Sequence, residues 1–168
     1  YCGKALRDRP DFDHLFETAP RAMAACFFDD DTAYSLEHIR QEYAVCGAGD
    51  TRLPALDARM ADGSRLLDLQ YQSHAVTPGK PPIEGLPATY TEQDDEADTL
   101  TVTLADPLAG VTVTLFYTVF AQLPAIARHA EIACTGENPI SLDRAMSLCL
   151  DLPDSDYEMV ELTGAWAR

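Results

Sequence analysis

Hydrophobic and polar residues alternate with period two along much of the chain, the pattern of strands that bury one face. In Thr99-Leu100-Thr101-Val102-Thr103-Leu104 the aliphatic side chains fall on one side and the threonines on the other. Asp106-Pro107-Leu108-Ala109-Gly110 supplies a turn, after which Val111, Val113, Leu115, Tyr117 and Val119 repeat the pattern against Thr112, Thr114 and Thr118. The expectation is a hairpin with threonine on its outer face. A second hairpin is expected to join residues 53–60 to 65–74 through Asp62-Gly63, a dipeptide suited to the positive φ of tight turns. A third is expected to run over 125–134, turn at Gly136-Glu137-Asn138-Pro139 and return over 140–150. Helical periodicity is nearly absent, with only residues 11–17 suited to a short helical turn. Residues 78–87, which include Gly79, Pro81, Pro82 and Gly85, read as a long irregular connection. No repeat or flexible linker divides the sequence. The pattern therefore predicts a single all-β domain over 1–168, an antiparallel β-sandwich of two packed sheets.

Composition narrows the partners. A chain of 168 residues is long enough to bury about 70% of its unfolded surface. Lys and Arg total 12 against 28 Asp and Glu, a formal charge of -16. So acidic a surface repels phosphate backbones, and no nucleic-acid partner is expected. No apolar run approaches the roughly 20 residues needed to cross a bilayer, and Tyr1-Cys2-Gly3-Lys4 does not open a signal peptide, so no membrane partner is expected. Five cysteines (Cys2, Cys26, Cys46, Cys134, Cys149) form no clustered pattern. Reduced thiols and a cytoplasmic location are the expectation.

The residues offer little catalytic machinery. The acidic runs Asp29-Asp30-Asp31 and Asp94-Asp95-Glu96 lie between strand patterns, where carboxylates are ordinarily solvated. Asp151, Asp154 and Asp156 miss the spacing of a calcium loop. His14, His38, His74 and His129 are scattered without ligand spacing, so no metal site is expected. Neither a Gly-x-Ser-x-Gly elbow nor a Cys-x-x-Cys pair occurs. Tyr117 and Phe120 belong to strand faces, whereas Tyr43 and Trp166 are open between core packing and stacking against a sugar. The most informative stretch is Gly47-Ala48-Gly49-Asp50-Thr51-Arg52-Leu53-Pro54-Ala55. Its glycines permit backbone conformations closed to other residues, and Asp50 and Arg52 form a charged pair able either to bridge each other or to hydrogen-bond a polyol.

That stretch does not stand alone. Tyr34-Ser35-Leu36, Gln41-Glu42-Tyr43, Asp68-Leu69-Gln70-Tyr71-Gln72-Ser73-His74, Gly85-Leu86-Pro87-Ala88-Thr89-Tyr90 and Gly164-Ala165-Trp166-Ala167-Arg168 accompany it in order. Together they resemble the amino-terminal domain of the bacterial α-galactosidases of glycoside hydrolase family 36. Departures occur at Ala44, Cys46 and Thr51, where the family usually has proline, an aromatic and a larger residue. The resemblance implies a large, supersandwich-like β-domain, here incomplete, belonging to a retaining enzyme that releases terminal α-galactose from melibiose and raffinose-type oligosaccharides. It implies no cofactor, a homo-oligomer (a tetramer in many members), and two catalytic aspartates in a (β/α)₈ barrel outside this segment. No catalytic residue is therefore assigned here, and Asp50 and Arg52 are the positions that match a sugar-facing role at a neighbouring subunit's pocket. A free-standing carbohydrate-binding sandwich without hydrolase activity is the alternative.

Overall fold

The computed structural model describes residues 28–29, 34–35, 41–46, 53–150, 156–161 and 164. The short helical turn expected over 11–17 lies outside them, as does Trp166. The described residues are all-β, apart from one turn of 3-10 helix at Asp94–Glu96. The strands are β1 (Phe28–Asp29), β2 (Tyr34–Ser35), β3 (Leu56–Arg59), β4 (Gln70–Pro78), β5 (Ala97–Asp106), β6 (Val111–Phe120), β7 (Ile126–Cys134) and β8 (Ser141–Ala145). β4-β5-β6-β7 form one antiparallel sheet in sequence order, while β3 pairs with β8 and β1 with β2.

The expected β5–β6 hairpin forms, and its ladder runs without irregularity from Ala97↔Phe120 to Asp106↔Val111. The buried Asp106 carboxylate organises the connection: its Oδ1 accepts the amides of Leu108 and Ala109, both at 2.9 Å. Gly110 closes the turn at φ +64°, and a Cβ there would stand 2.5 Å from the Cα of Gly136. Only glycine meets both demands.

The other two expected hairpins do not form. Asp62-Gly63 does turn the chain, with Met60 N bonded to Ser64 O at 2.8 Å and Gly63 at φ +86°. Beyond the turn, however, the Leu67 amide bonds to Cys46 O at 2.8 Å and the Asp68 amide bonds to Asp106 Oδ2 at 2.9 Å. The buried carboxylate draws the chain into the larger sheet, so β4 pairs with β5 rather than β3. β7 likewise pairs with β6, leaving β8 to cross to β3. A register shift between Asp57 and Ala58 places Asp143 as the extra residue on β8.

β3 lies across the aliphatic face of the larger sheet. Leu56 and Ala58 share one core with Tyr43, Val45, Leu67, Val102, Leu104, Val111, Val113 and Leu115. The opposite face is not a uniform outer surface, as expected from its threonines. Thr99 and Thr118 are buried there. Thr99 Oγ1 donates to Gly79 O at 2.7 Å, so Thr118 supplies the proton for the 2.8 Å bond between the two hydroxyls. The irregular connection over 79–93 closes this end of the sheet, Gly79 N returning to Ala97 O at 2.7 Å.

Candidate functional site

Asp50 and Arg52 lie outside the described residues, but the backbone on both sides of their segment is fixed. Ala44 O accepts the amides of Ala55 at 2.8 Å and Leu56 at 3.3 Å. Val45 forms a parallel bridge with Leu56. The arm over 41–46 is thus laid against the start of β3, with Tyr43, Ala44 and Val45 buried.

A charged network borders this arm. Arg65 Nη1 meets Asp57 Oδ2 at 2.7 Å and its Nη2 meets Asp143 Oδ2 at 2.6 Å, while Arg59 Nη2 meets Asp143 Oδ1 at 3.1 Å. The bulge in β8 aims Asp143 at both arginines, a common use of such an irregularity. Cys46 Sγ donates to Asp57 Oδ1 at 3.9 Å. Burial, then the neighbouring Asp57 charge, push the Cys46 thiol above its ordinary pKa, which keeps the donor proton in place.

A second cluster grips the same arm. Arg128 projects from β7 with a side chain only 7% exposed. Its Nη2 lies 3.1 Å from Glu42 O and 3.1 Å from Glu42 Oε1, and its Nη1 is 3.5 Å from Cys149 O. Tyr117 donates to Glu42 Oε1 at 2.7 Å, and Tyr43 donates to Met146 O at 3.1 Å. The guanidinium carbon stands 5.9 Å from the Tyr43 ring centre and 5.1 Å from that of Tyr117, within the range of cation–π attraction. Burial raises the pKa of both phenols; the Glu42 carboxylate raises Tyr117 further, and Arg128 acts against the shift in each. Both therefore remain hydroxyl donors. Arg128 Nε is buried without a hydrogen-bond partner, a deficit of about 1–3 kcal/mol. Sequence reasoning missed Arg128. The available signal was its strand phase, which it shares with Ala130 and Ile132, both packed against the core.

The described residues assemble no further reactive centre. Among them no group of three or more His, Cys, Asp or Glu side chains is placed to hold a metal ion. His129 stacks on Phe116 with ring centres 4.2 Å apart, and burial lowers its pKa. His74 instead contacts the Tyr71 hydroxyl at 2.5 Å. Asp94–Glu96, read from the sequence as solvated, form a 3-10 turn with no buried residue. An open trough of about 600 Å³ is lined by Pro87, Ala88, Thr89, Tyr90, Phe120 and Leu123. Its apolar walls offer few partners for sugar hydroxyls.

The sequence matches the family model described as the Glycosyl hydrolase family 36 N-terminal domain over residues 1–168. The chain belongs to that family. Among relatives of this family 36 domain, α-galactosidase AgaA of Geobacillus stearothermophilus is 39% identical over 168 residues, covering 100% of this chain and 23% of the relative. Probable α-galactosidase G of Aspergillus terreus is 42% identical over 132 residues, covering 79% of this chain and 18% of the relative. A structure of an AgaA variant in complex with raffinose superposes with a TM-score of 0.79 at 39% identity, over 94% of this chain and 22% of that one. The α-galactosidase from Lactobacillus brevis gives 0.79 at 31% identity, over 92% and 21%. The family 36 domain described here thus spans less than a quarter of each of these relatives.

Proposed function

We propose that this domain serves a retaining α-galactosidase that hydrolyses terminal α-galactosides, melibiose and raffinose-type oligosaccharides among them. The match to the family 36 N-terminal domain over the full 168 residues carries this reading. Related AgaA structures hold raffinose and stachyose, which supports the substrate class. Retaining hydrolysis needs two carboxylates about 5–5.5 Å apart in a pocket. In this reading that pair lies in a (β/α)₈ barrel of the parent enzyme, and the domain itself is non-catalytic.

Its contribution is assembly and substrate placement. Exposed Val76, Leu108, Ile126 and Leu142 leave apolar surface for contact with the rest of the enzyme or a neighbouring subunit. Asp50 and Arg52 follow the arm over 41–46, and in this reading they hydrogen-bond the sugar across a subunit interface in a homotetramer. The free thiols of Cys46, Cys134 and Cys149 support a cytoplasmic setting.

In the parent enzyme, Asp50→Ala and Arg52→Ala should each weaken raffinose binding by about 1–3 kcal/mol, because each leaves a polar partner unsatisfied. The loss should appear chiefly in KM. Steady-state kinetics on raffinose and a chromogenic aryl α-galactoside, with the oligomeric state followed by light scattering, provide the measurement. If both variants remain assembled and keep the parental constants on both substrates, the sugar-facing assignment is wrong. The isolated domain should not cleave the chromogenic galactoside. Turnover that survives repurification and disappears on replacing an acidic residue of this chain would place catalysis here instead.

A further inference from the structure

β4 (Gln70–Pro78) is an edge of the larger sheet: among the described residues it pairs only with β5. All nine of its residues are exposed. A free edge presents a row of unpaired amides and carbonyls, which soluble proteins commonly blunt with charged side chains, proline or a bulge. In β4 such devices stand only near its ends. The register shift between Tyr71 and Ser73 leaves Gln72 as an extra residue, and Pro78 has no amide to donate. Between them Ser73-His74-Ala75-Val76-Thr77 keeps an uninterrupted ladder to β5, from Ser73↔Thr103 to Thr77↔Thr99. Charge sets this edge apart as well. Gln70–Pro78 contains no Asp, Glu, Lys or Arg, in a chain with 28 acidic and 12 basic residues and a formal charge of -16. The opposite edge of the sheet, β7, carries Arg128 and Glu131, and β8 carries Asp143 and Arg144.

We propose that β4 pairs antiparallel with β4 of a second copy of this chain, across a two-fold axis at Ala75. Two copies so acidic repel each other over much of their surfaces, and an uncharged strand lets their backbones meet with no like charges opposed. A two-fold axis normal to the sheet keeps each face on its own side, so a residue rather than a peptide bond lies on the axis. Ala75 is the centre of the stretch between the bulge and Pro78. Ser73 then stands opposite Thr77, and His74 opposite Val76, across the two copies. Val76 lies on the face of Leu100, which packs against the core, yet is 64% exposed. The pairing gives that aliphatic side chain a neighbour. Five residues a side fall short of the roughly 20–30 of a standard interface, so the strand pair is one contact of a larger assembly. The inference rests on the assembly role proposed above and names the strand that carries it.

The test is disulfide capture in the full-length parent enzyme, run with a mild oxidant and read on non-reducing gels, with light scattering for the oligomeric state. Directly opposed residues of antiparallel strands have Cα atoms about 4.5–5.5 Å apart, a separation that a disulfide spans. Ala75→Cys should therefore link two copies at least roughly tenfold faster than Asp62→Cys, a control at an exposed turn, and the parental enzyme sets the background from native thiols. Ser73→Cys and Thr77→Cys should each link poorly alone, because their own equivalents lie four residues away along the strand, about 13 Å. The double variant Ser73→Cys/Thr77→Cys should link two copies about as fast as Ala75→Cys. All three β4 positions are exposed, so the substitutions leave the core intact. No link above the Asp62→Cys rate overturns the pairing, and so does a link in Ser73→Cys alone as fast as in Ala75→Cys. Amides over 73–77 that resist hydrogen exchange while no link forms would place a strand of the same polypeptide on β4, which overturns it likewise. An associated parent without the link removes this strand from the interface and leaves the assembly role standing. A parent that is monomeric in light scattering overturns both.

Discussion

β5 and β6 pair over ten consecutive positions with no irregularity, whereas β3 and β8 pair over four and carry a bulge. The first pair is closed by Pro107–Gly110, the second by the whole of residues 60–140. Loop-closure entropy grows logarithmically, so the longer closure costs about 2–3 kcal/mol more. The contacts that offset it are not chiefly electrostatic. Arg59, Arg65 and Asp143 are partly solvated, and such exposed ion pairs contribute about 0–1 kcal/mol each. Complete burial of Leu56 against the larger sheet is the greater term, worth about 1.5–3 kcal/mol for one aliphatic side chain. The larger sheet is thus specified by its own ladder, and the smaller one by what it covers.

The sharpest way to break this contrast is Leu56→Ala. It should cost about 2–5 kcal/mol in urea unfolding, because Leu56 is fully buried and its truncation loses apolar burial and leaves a cavity that neighbouring side chains fill only in part. A loss below about 1 kcal/mol would mean that β3 is not anchored by its core contact. Gly110→Ala attacks the hairpin at its tightest point and should cost about 1–3 kcal/mol, since the new Cβ combines positive φ with a backbone collision at Gly136. Unfolding midpoints measured at low protein concentration test this, and parental stability would show that the turn relaxes freely. Asp143→Asn should have the smallest effect, no more than about 1 kcal/mol, and the difference should shrink as salt rises from low ionic strength to about 1 M. A large, salt-independent loss would instead show that the network, rather than Leu56, secures the small sheet.

The same contrast explains what was legible in the sequence. Alternation in 99–104 and 111–119, with Asp106 and Gly110 between, encodes a local hairpin almost completely. The Asp62-Gly63 turn was equally legible as a turn. Its strand partners were not, because nothing local to residues 56–59 names Ser141–Ala145, and the buried Asp106 carboxylate diverts Asp68 into the other sheet. Threonine misled at Thr99 and Thr118, since a hydroxyl tolerates burial when its hydrogen bonds are met, and the Gly79 carbonyl that meets them lies 20 residues away. The family and the glycine segment were visible as ordered short motifs. Arg128 was hidden because a single basic residue in strand phase acquires meaning only when Glu42, Tyr43 and Tyr117 are brought around it.

The pairing of β3 with β8 also fixes an order of events during synthesis. β4 to β7 have every ladder partner once Cys134 has emerged from the ribosome, so that sheet is free to form while the rest of the chain is still being made. β3 emerges earlier, with only the Val45 bridge to Leu56 beside it, and lacks its antiparallel partner until Ser141–Ala145 follow. In that interval the backbone of β3 lacks its ladder, and Leu56 has no fixed hold on Val102, Val113 and Leu115. A nascent chain paused between Cys134 and Ser141 therefore leaves the apolar face of the larger sheet without the fixed cover of β3, and a holdase chaperone has that surface to bind.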